Sequence, residues 1–329
     1  MARKASNTLL QKAKRLKSDE FYTLLSDIER ELQHYACQFR GKVVYCNCDD
    51  PRSSNFYRYF AEHFHDLGLK KLIASCYCEQ HNTLFDVSGE TGGFYYIYHG
   101  TTEENTIPTD ADIHYFNSDG DFRSSESISL LMQADVVVTN PPFSLFREYI
   151  SQLVRFEKQF LIIGNINAIT YKEVFHLIKE NKVWLGVNLG RGISGFSVPD
   201  HYELYGTEVR VDEQGNRIIS PNNCLWLTNM DNFQRNEDIV LTKRYVGNEI
   251  SYQKYDNYDG INVNRTQDIP MDYSGFMGVP ITFLHKFNPN QFEIVKFRKG
   301  DDDKDLSING KCPYFRILIR NRRVCQDVI

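Results

Sequence analysis

The stretch that decides the fold is DVVVTNPPF, running from Asp135 to Phe143. Val136, Val137, Val138 and Thr139 form a β-branched run with no polar alternation, the pattern of a strand buried on both faces. Pro141 and Pro142 then end it, because proline has no N–H for the ladder and a fixed φ. The chain is therefore expected to leave the sheet at Asn140 in a rigid turn.

Strand and helix patterns alternate on either side of this point. Upstream, KVVYCNCDD (42–50) reads as a buried strand ending in acids, NFYRYFAEHFHDLG (55–68) as a helix closed by Gly68, and KKLIASCYCE (70–79) as a second strand ending in an acid. Residues 80–110 are polar and rich in Gly and Thr, and read as a hairpin or an insertion. DIHYFNSDGDF (112–122) reads as a third strand with its turn, and SSESISLLMQA (124–134) as a helix. Downstream come a helix at 144–156, a strand at 158–166, a helix at 171–181, and strands at 182–190 and 223–230. Ser18-Asp19 ahead of EFYTLLSDIEREL predicts a capped helix start. Alternation with short links predicts an α/β fold, a parallel sheet with helices on both faces. Ligands of such sheets bind at the carboxyl ends of strands, where the acids and the proline turn fall.

From about residue 236 the pattern becomes irregular and rich in Asn, Asp, Gly and aromatics, which predicts a smaller, loop-rich domain. The expected organisation is a basic arm over 1–17, a catalytic domain over 18–235 and a second domain over 236–329.

Composition narrows the class. The chain has 329 residues, 41% hydrophobic and 25% charged, which is ordinary globular usage. No apolar run approaches the roughly 18 residues of a membrane helix, and the basic N-terminus lacks the apolar core of a signal peptide. A cytoplasmic protein with no membrane partner is expected. Lys+Arg is 38 and Asp+Glu is 43, giving a net charge of -5. That argues against a uniformly basic nucleic-acid coat but leaves room for basic patches. Such patches stand at the ends: residues 1–17 hold Arg3, Lys4, Lys12, Lys14, Arg15 and Lys17 with no acid, and residues 311–323 hold Lys311, Arg316, Arg320, Arg322 and Arg323 with no acid. Cys46/Cys48 and Cys76/Cys78 are spaced CxC within strand-like runs, so they read as buried thiols, and no metal site is expected.

The proline turn carries the chemistry. The Asn140 side-chain oxygen and the Pro141 carbonyl can converge on one point, matching the two N–H donors of an exocyclic amine. Phe143 supplies a flat face for a ring. An aromatic amine is a poor nucleophile because its lone pair is delocalised. Holding both of its hydrogens favours a pyramidal nitrogen and returns the lone pair to the attacking direction. Preorganised acceptors of this kind act on charge as it develops.

VVVTNPPF resembles motif IV of S-adenosylmethionine-dependent amino-methyltransferases, and DEFYT (19–23) is similar to their motif X. With motif X first and a long C-terminal region after motif IV, the order resembles the gamma group of DNA adenine-N6 methyltransferases. SDEFYT, VVYCNCDDPRSSNF, GDFRSSES, TNPPFSLFREYI, SPNNCLWLTN, YDNYDGINVN and MGVPITFLHKFNP together resemble the EcoRI modification methyltransferase family over nearly the whole chain. The resemblance implies a Rossmann-like S-adenosylmethionine-binding sheet with a smaller C-terminal target-recognition region. It also implies methylation of N6 of the inner adenine of GAATTC in double-stranded DNA, by base flipping, within a restriction–modification system. Asn140, Pro141 and Phe143 match as the target-adenine site, and Phe21 and Thr23 match the segment lining the cofactor's methionine end. Asp49 and Asp50 stand where relatives carry a Gly-rich loop, which CNCDDPRSS lacks. Glu79 ends strand two, where an acid commonly holds ribose hydroxyls. Asp121 and Phe122 stand where the cofactor's adenine is expected.

Reaching an adenine inside a duplex requires flipping it out, at a cost of a few kcal/mol. Candidate DNA contacts are Lys12, Lys14 and Arg15 in the arm, and Lys243, Arg244, Arg265, Arg298 and Lys299 in the second domain. A monomer is expected, since replication leaves one strand unmethylated and one transfer per visit suffices. A cognate restriction endonuclease would share the site without being a bound subunit. Rival readings are an amino-methyltransferase of RNA or protein glutamine, and a DNA-binding relative without catalysis. The spacing of Pro199-Asp200 and Glu208-Val209-Arg210 is set aside as a nuclease lookalike, and Asp301–Asp303 with Asp305 reads as a solvated acidic turn.

Overall fold

The computed structural model describes residues 22–78, 92–100, 107–188, 193, 195–198, 209–211, 215, 217–220 and 223–324. In chain order the elements are β1 (Tyr22–Thr23), α1 (Leu25–Leu32), β2 (Val43–Asn47), α2 (Asn55–Glu62), β3 (Lys71–Cys76), β4 (Phe94–Tyr98), β5 (His114–Tyr115), α3 (Ser125–Gln133), β6 (Val136–Thr139), α4 (Phe146–Arg155), β7 (Gln159–Asn165) and α5 (Lys172–Lys179). There follow β8 (Trp184–Leu185), β9 (Phe196–Ser197), β10 (Val209–Val211), β11 (Arg217–Ile219), β12 (Cys224–Thr228), β13 (Gly260–Asn262), β14 (Phe276–Pro280), β15 (Phe292–Phe297) and β16 (Arg316–Asn321). The chain divides into two compact units. The first takes the described residues through Val174 and from Gly186 to Met230, the second Phe175–Leu185 and the described residues from Asp231.

Within the first unit the large sheet runs β5-β4-β3-β2-β6-β7-β12. β2 pairs in parallel with β3 and with β6, and β6 in parallel with β7. β4, β5 and β12 join antiparallel. The chain thus goes from β2 to β3 on one side and later returns to β6 on the other, which puts the reversal of strand order between β2 and β6. Alternate residues of the parallel strands pack into one cluster with α1 and α2: Val44, Leu72, Val138 and Leu161 meet Ile28, Leu32, Phe56 and Phe60. On the other face Gly164 of β7 lies against the ring of Phe146 from α4. Both faces are therefore covered, which is why the strands read as unbroken apolar runs. A small antiparallel sheet, β1-β9-β11-β10, belongs to the same unit.

Sequence expectations are corrected at several places: the helix read as closing at Gly68 ends at Glu62, and the strand read over 182–190 is only Trp184–Leu185. Part of the region read as a polar hairpin or insertion is β4, a five-residue strand, FYYIY, on β3. Its aromatics fit a pleated, half-buried surface, but no periodicity separates them from the loop around them. The expected third strand shrinks to His114–Tyr115, so Asp121 and Phe122 lie in the loop before α3 rather than at a strand end. The first helix begins at Leu25, because Tyr22 and Thr23 pair with Ser197 and Phe196 as strand.

The second unit carries a mixed four-stranded sheet, β13-β14-β16-β15. Tyr255, Leu306 and Leu318 are buried together there. Arg316 is buried and gives Nε to Asn262 Oδ1 at 3.0 Å, one Nη to Asn264 Oδ1 at 3.0 Å and the other to Tyr314 O at 2.7 Å. Among the described residues no helix is long and apolar enough to cross a membrane.

Candidate active site

The proline turn stands at the carboxyl end of β6. Thr139 and Pro141 are buried, and Asn140, Pro142 and Phe143 are half-buried. Pro142 has φ -60° and ψ 121° and leads into a 3₁₀ turn, Phe143–Leu145, closed by Leu145 N–H on Pro142 O at 3.1 Å. Phe143 is half-buried and packs against the core. Phe146, 2% exposed, then seats on Gly164. The turn is fixed at one end by a strand with neighbours on both edges and at the other by this ring.

Beside it lies the end of β2. Cys48 has φ 84°, a conformation that L side chains rarely adopt and glycine adopts readily. The N–H groups of Cys48 and Asp49 both donate to Ser75 O, at 3.0 and 2.8 Å. The sharp turn of a Gly-rich loop is thus present without a glycine. Ser54 caps α2, accepting from Phe56 N and Tyr57 N, and donates to Asp49 Oδ1 at 2.6 Å. Thr139 Oγ1 contacts Asp49 Oδ2 and lies 2.6 Å from Asn47 O. Tyr149 OH donates to Asn47 Oδ1. Burial pushes the Asp49 carboxyl up to about 7, against the bond from Ser54 that lowers it. Asp50 faces outward and is taken by Arg52 in two bonds of 3.1 Å.

Thr23 is drawn to this end of the sheet, its carbonyl accepting from Asn55 Nδ2 at 2.8 Å. Its hydroxyl is buried with no hydrogen-bond partner among the described residues. Asp121 forms a forked pair with Arg123, which holds its carboxyl below the usual range, and Arg123 also reaches Glu148. Phe122 is buried edge-on to Tyr149 at 5.1 Å. Phe21 and Glu79 lie outside the described residues. Thr139 and Ser54 were assigned no role from sequence. Only Ser54 had a usable signal, a helix-capping serine before an apolar run.

In the second unit Lys243, Arg244 and Arg265 are exposed. Arg298 and Lys299 both bind Asp305: Arg298 forks onto it with two bonds of 2.9 Å and Lys299 meets it at 3.0 Å. Arg298 also lies over the Phe315 ring at 4.4 Å. Lys12, Lys14 and Arg15 fall outside the described residues, as do Pro199, Asp200 and Glu208.

Residues 9–322 match the family described as adenine-specific methyltransferase EcoRI, and the chain belongs to that family. It is an adenine-specific methyltransferase. The chain is 67% identical to the Type II methyltransferase M.EcoRI of Escherichia coli over 324 residues, covering 98% of this chain and 99% of that protein. It is 36% identical to the Type II methyltransferase M.MpnI of Mycoplasma pneumoniae over 95% of this chain and 98% of that one. M.MgeORF184P of Mycoplasma genitalium is 35% identical, over 95% and 98%. No solved structure matches the chain. The family resemblance drawn from the motifs is borne out.

Proposed function

We propose that the chain transfers a methyl group from S-adenosylmethionine to N6 of an adenine flipped out of duplex DNA, at the inner adenine of GAATTC. It would act as the modifying half of a restriction–modification system. The observation that carries this reading is the adjacency of two turns at the carboxyl ends of neighbouring parallel strands. One is the Asn140-Pro141-Pro142-Phe143 turn after β6, the other the sharp turn at Cys48 after β2. This is where ligands of a sheet with reversing strand order bind.

The cofactor fits the second turn. Thr23 offers a buried hydroxyl with hydrogen-bonding capacity to spare among the described residues, and the Cys48 bend opens the strand end as a Gly-rich loop does elsewhere. Thr23 and the Cys48–Asp50 turn would hold S-adenosylmethionine, which supplies an electrophilic methyl. Asn140 Oδ1 and the Pro141 carbonyl accept the two amine hydrogens of adenine. Proline at 141 and 142 leaves no N–H there to compete for those acceptors. Phe143, half-buried, stacks on the base. The exposed cations Lys243, Arg244 and Arg265 are suited to phosphate and base edges. We take the second unit as the target-recognition region and the chain as a monomer.

The experiment is a methyl-transfer reaction on short duplexes, with the product nucleoside identified after digestion. N6-methyladenine at the inner adenine of GAATTC is expected. Label confined to RNA or protein, or to another base of the duplex, would overturn the reading.

A further inference from the structure

We propose that Asp49 is a positioning residue held as a neutral acid, whose carboxyl proton closes a hydrogen-bonded chain joining the cap of α2 and the end of β2 to Thr139, the residue before the Asn140 turn. Counting protons carries the argument. Ser54 Oγ accepts from the N–H groups of Phe56 at 3.1 Å and Tyr57 at 3.4 Å, so its own proton goes to Asp49 Oδ1, 2.6 Å away. Thr139 Oγ1 stands 2.6 Å from the carbonyl oxygen of Asn47. A carbonyl has no proton to give, so the threonine hydroxyl donates there. The same Oγ1 is in hydrogen-bonding contact with Asp49 Oδ2. With the single threonine proton already committed, that contact closes only if Asp49 supplies one. An ionised carboxylate would set lone pair against lone pair, at Asp49 or, were the hydroxyl to swing round, at Asn47.

The surroundings favour the neutral form. Asp49 is 8% exposed. The groups facing it are the Asp50 carboxylate and the Cys48 thiol on its own turn, the thiol of Cys46 from β2, the thiol of Cys76 from β3 and the Tyr149 phenol from α4. None of these is a cation, and the nearby Arg52 is bound to Asp50. Asp49 therefore sets where the last residue of β6 sits, and through it the Asn140 turn, without touching the transferred group.

The test compares Asp49→Asn and Asp49→Ala in the full chain. Single-turnover methyl transfer to a GAATTC duplex is followed at saturating S-adenosylmethionine on both sides of neutral pH. Asparagine can donate to Thr139 and accept from Ser54. It should recover most of the roughly 10²-fold in rate that alanine loses, the scale of a ~1 Å misplacement. The wild-type rate should fall as Asp49 ionises, and the Asp49→Asn profile should lack that limb. Infrared spectroscopy of the wild type should show a protonated-carboxyl C=O stretch that Asp49→Asn lacks. Equal impairment in both variants, coincident pH profiles or a missing band would overturn the proposal. The rate readout rests on the function proposed above and the infrared band does not, so an inactive wild type and an absent band are separate failures. The band also decides the matter if Asp49→Ala does not fold.

Discussion

Replacing Gly164 by alanine puts a methyl group where the core has no room for it. A Cβ there would stand 2.8 Å from Phe146 Cζ, 2.9 Å from Cε2 and 3.3 Å from Leu227 Cδ1. Phe146 is 2% exposed and Leu227 0%, so neither can swing into solvent. Overpacking of this kind costs about 1–3 kcal/mol. At about 2–4 °C per kcal/mol for a unit of this size, Tm should fall by about 2–12 °C. Phe146 opens α4 directly after the 3₁₀ turn that carries Phe143, so the displaced ring should also move the Asn140–Phe143 turn and slow methyl transfer. The check is a double-mutant cycle with Phe146→Leu, which removes the tip of the ring that the new methyl meets. Denaturant unfolding of both single variants and the double should give a coupling of about 0.5–3 kcal/mol, the double being less damaged than the sum. Effects that add within about 0.5 kcal/mol would refute the claim that this contact fixes the turn.

Asn140→Ala should lower the single-turnover rate by at least about 10²-fold, the scale for one polar transition-state contact; a rate near wild type would remove Asn140 from the mechanism. Phe143→Ala should lower the population of flipped base, read as a changed 2-aminopurine signal at the target position, and an unchanged signal would argue against stacking. Lys243→Ala and Arg265→Ala should each reduce the salt slope of DNA binding by about 1 if they meet phosphate. Arg298→Ala should leave that slope alone and lower Tm, because its guanidinium is engaged by Asp305 and Phe315. The Asp49 carboxyl titrates near 7 in the folded chain against 3.8 for an ordinary aspartate. Its contribution to stability is therefore full below about 4 and is lost as pH climbs through 7. The Tm difference between wild type and Asp49→Asn should shift against the wild type across that window, and a constant difference would refute the linkage.

Much of this molecule was readable in the chain because the information was local. Val136–Thr139 followed by two prolines encodes both a buried strand and its stop, and Ser124 marks the start of α3 by its own side-chain chemistry. What escaped depends on partners distant in sequence. Tyr22 and Thr23 are strand because Ser197 and Phe196 pair with them, and β4 exists because β3 offers it an edge. Arg298 and Lys299 were legible as cations, but not that the nearby acidic turn presents Asp305 to both. Asp49 was legible as an acid at a strand end, but its burial was not, since that depends on Thr139, some ninety residues away.

β6 lies between β2 and β7, with hydrogen-bonded ladders along both of its sides. A strand held in that way cannot slip lengthwise without giving up two sets of backbone bonds at once. The residues at its tip are consequently a fixed landmark, and under the proposed function the travel needed to bring an amino group and a methyl together falls to the molecules that arrive there.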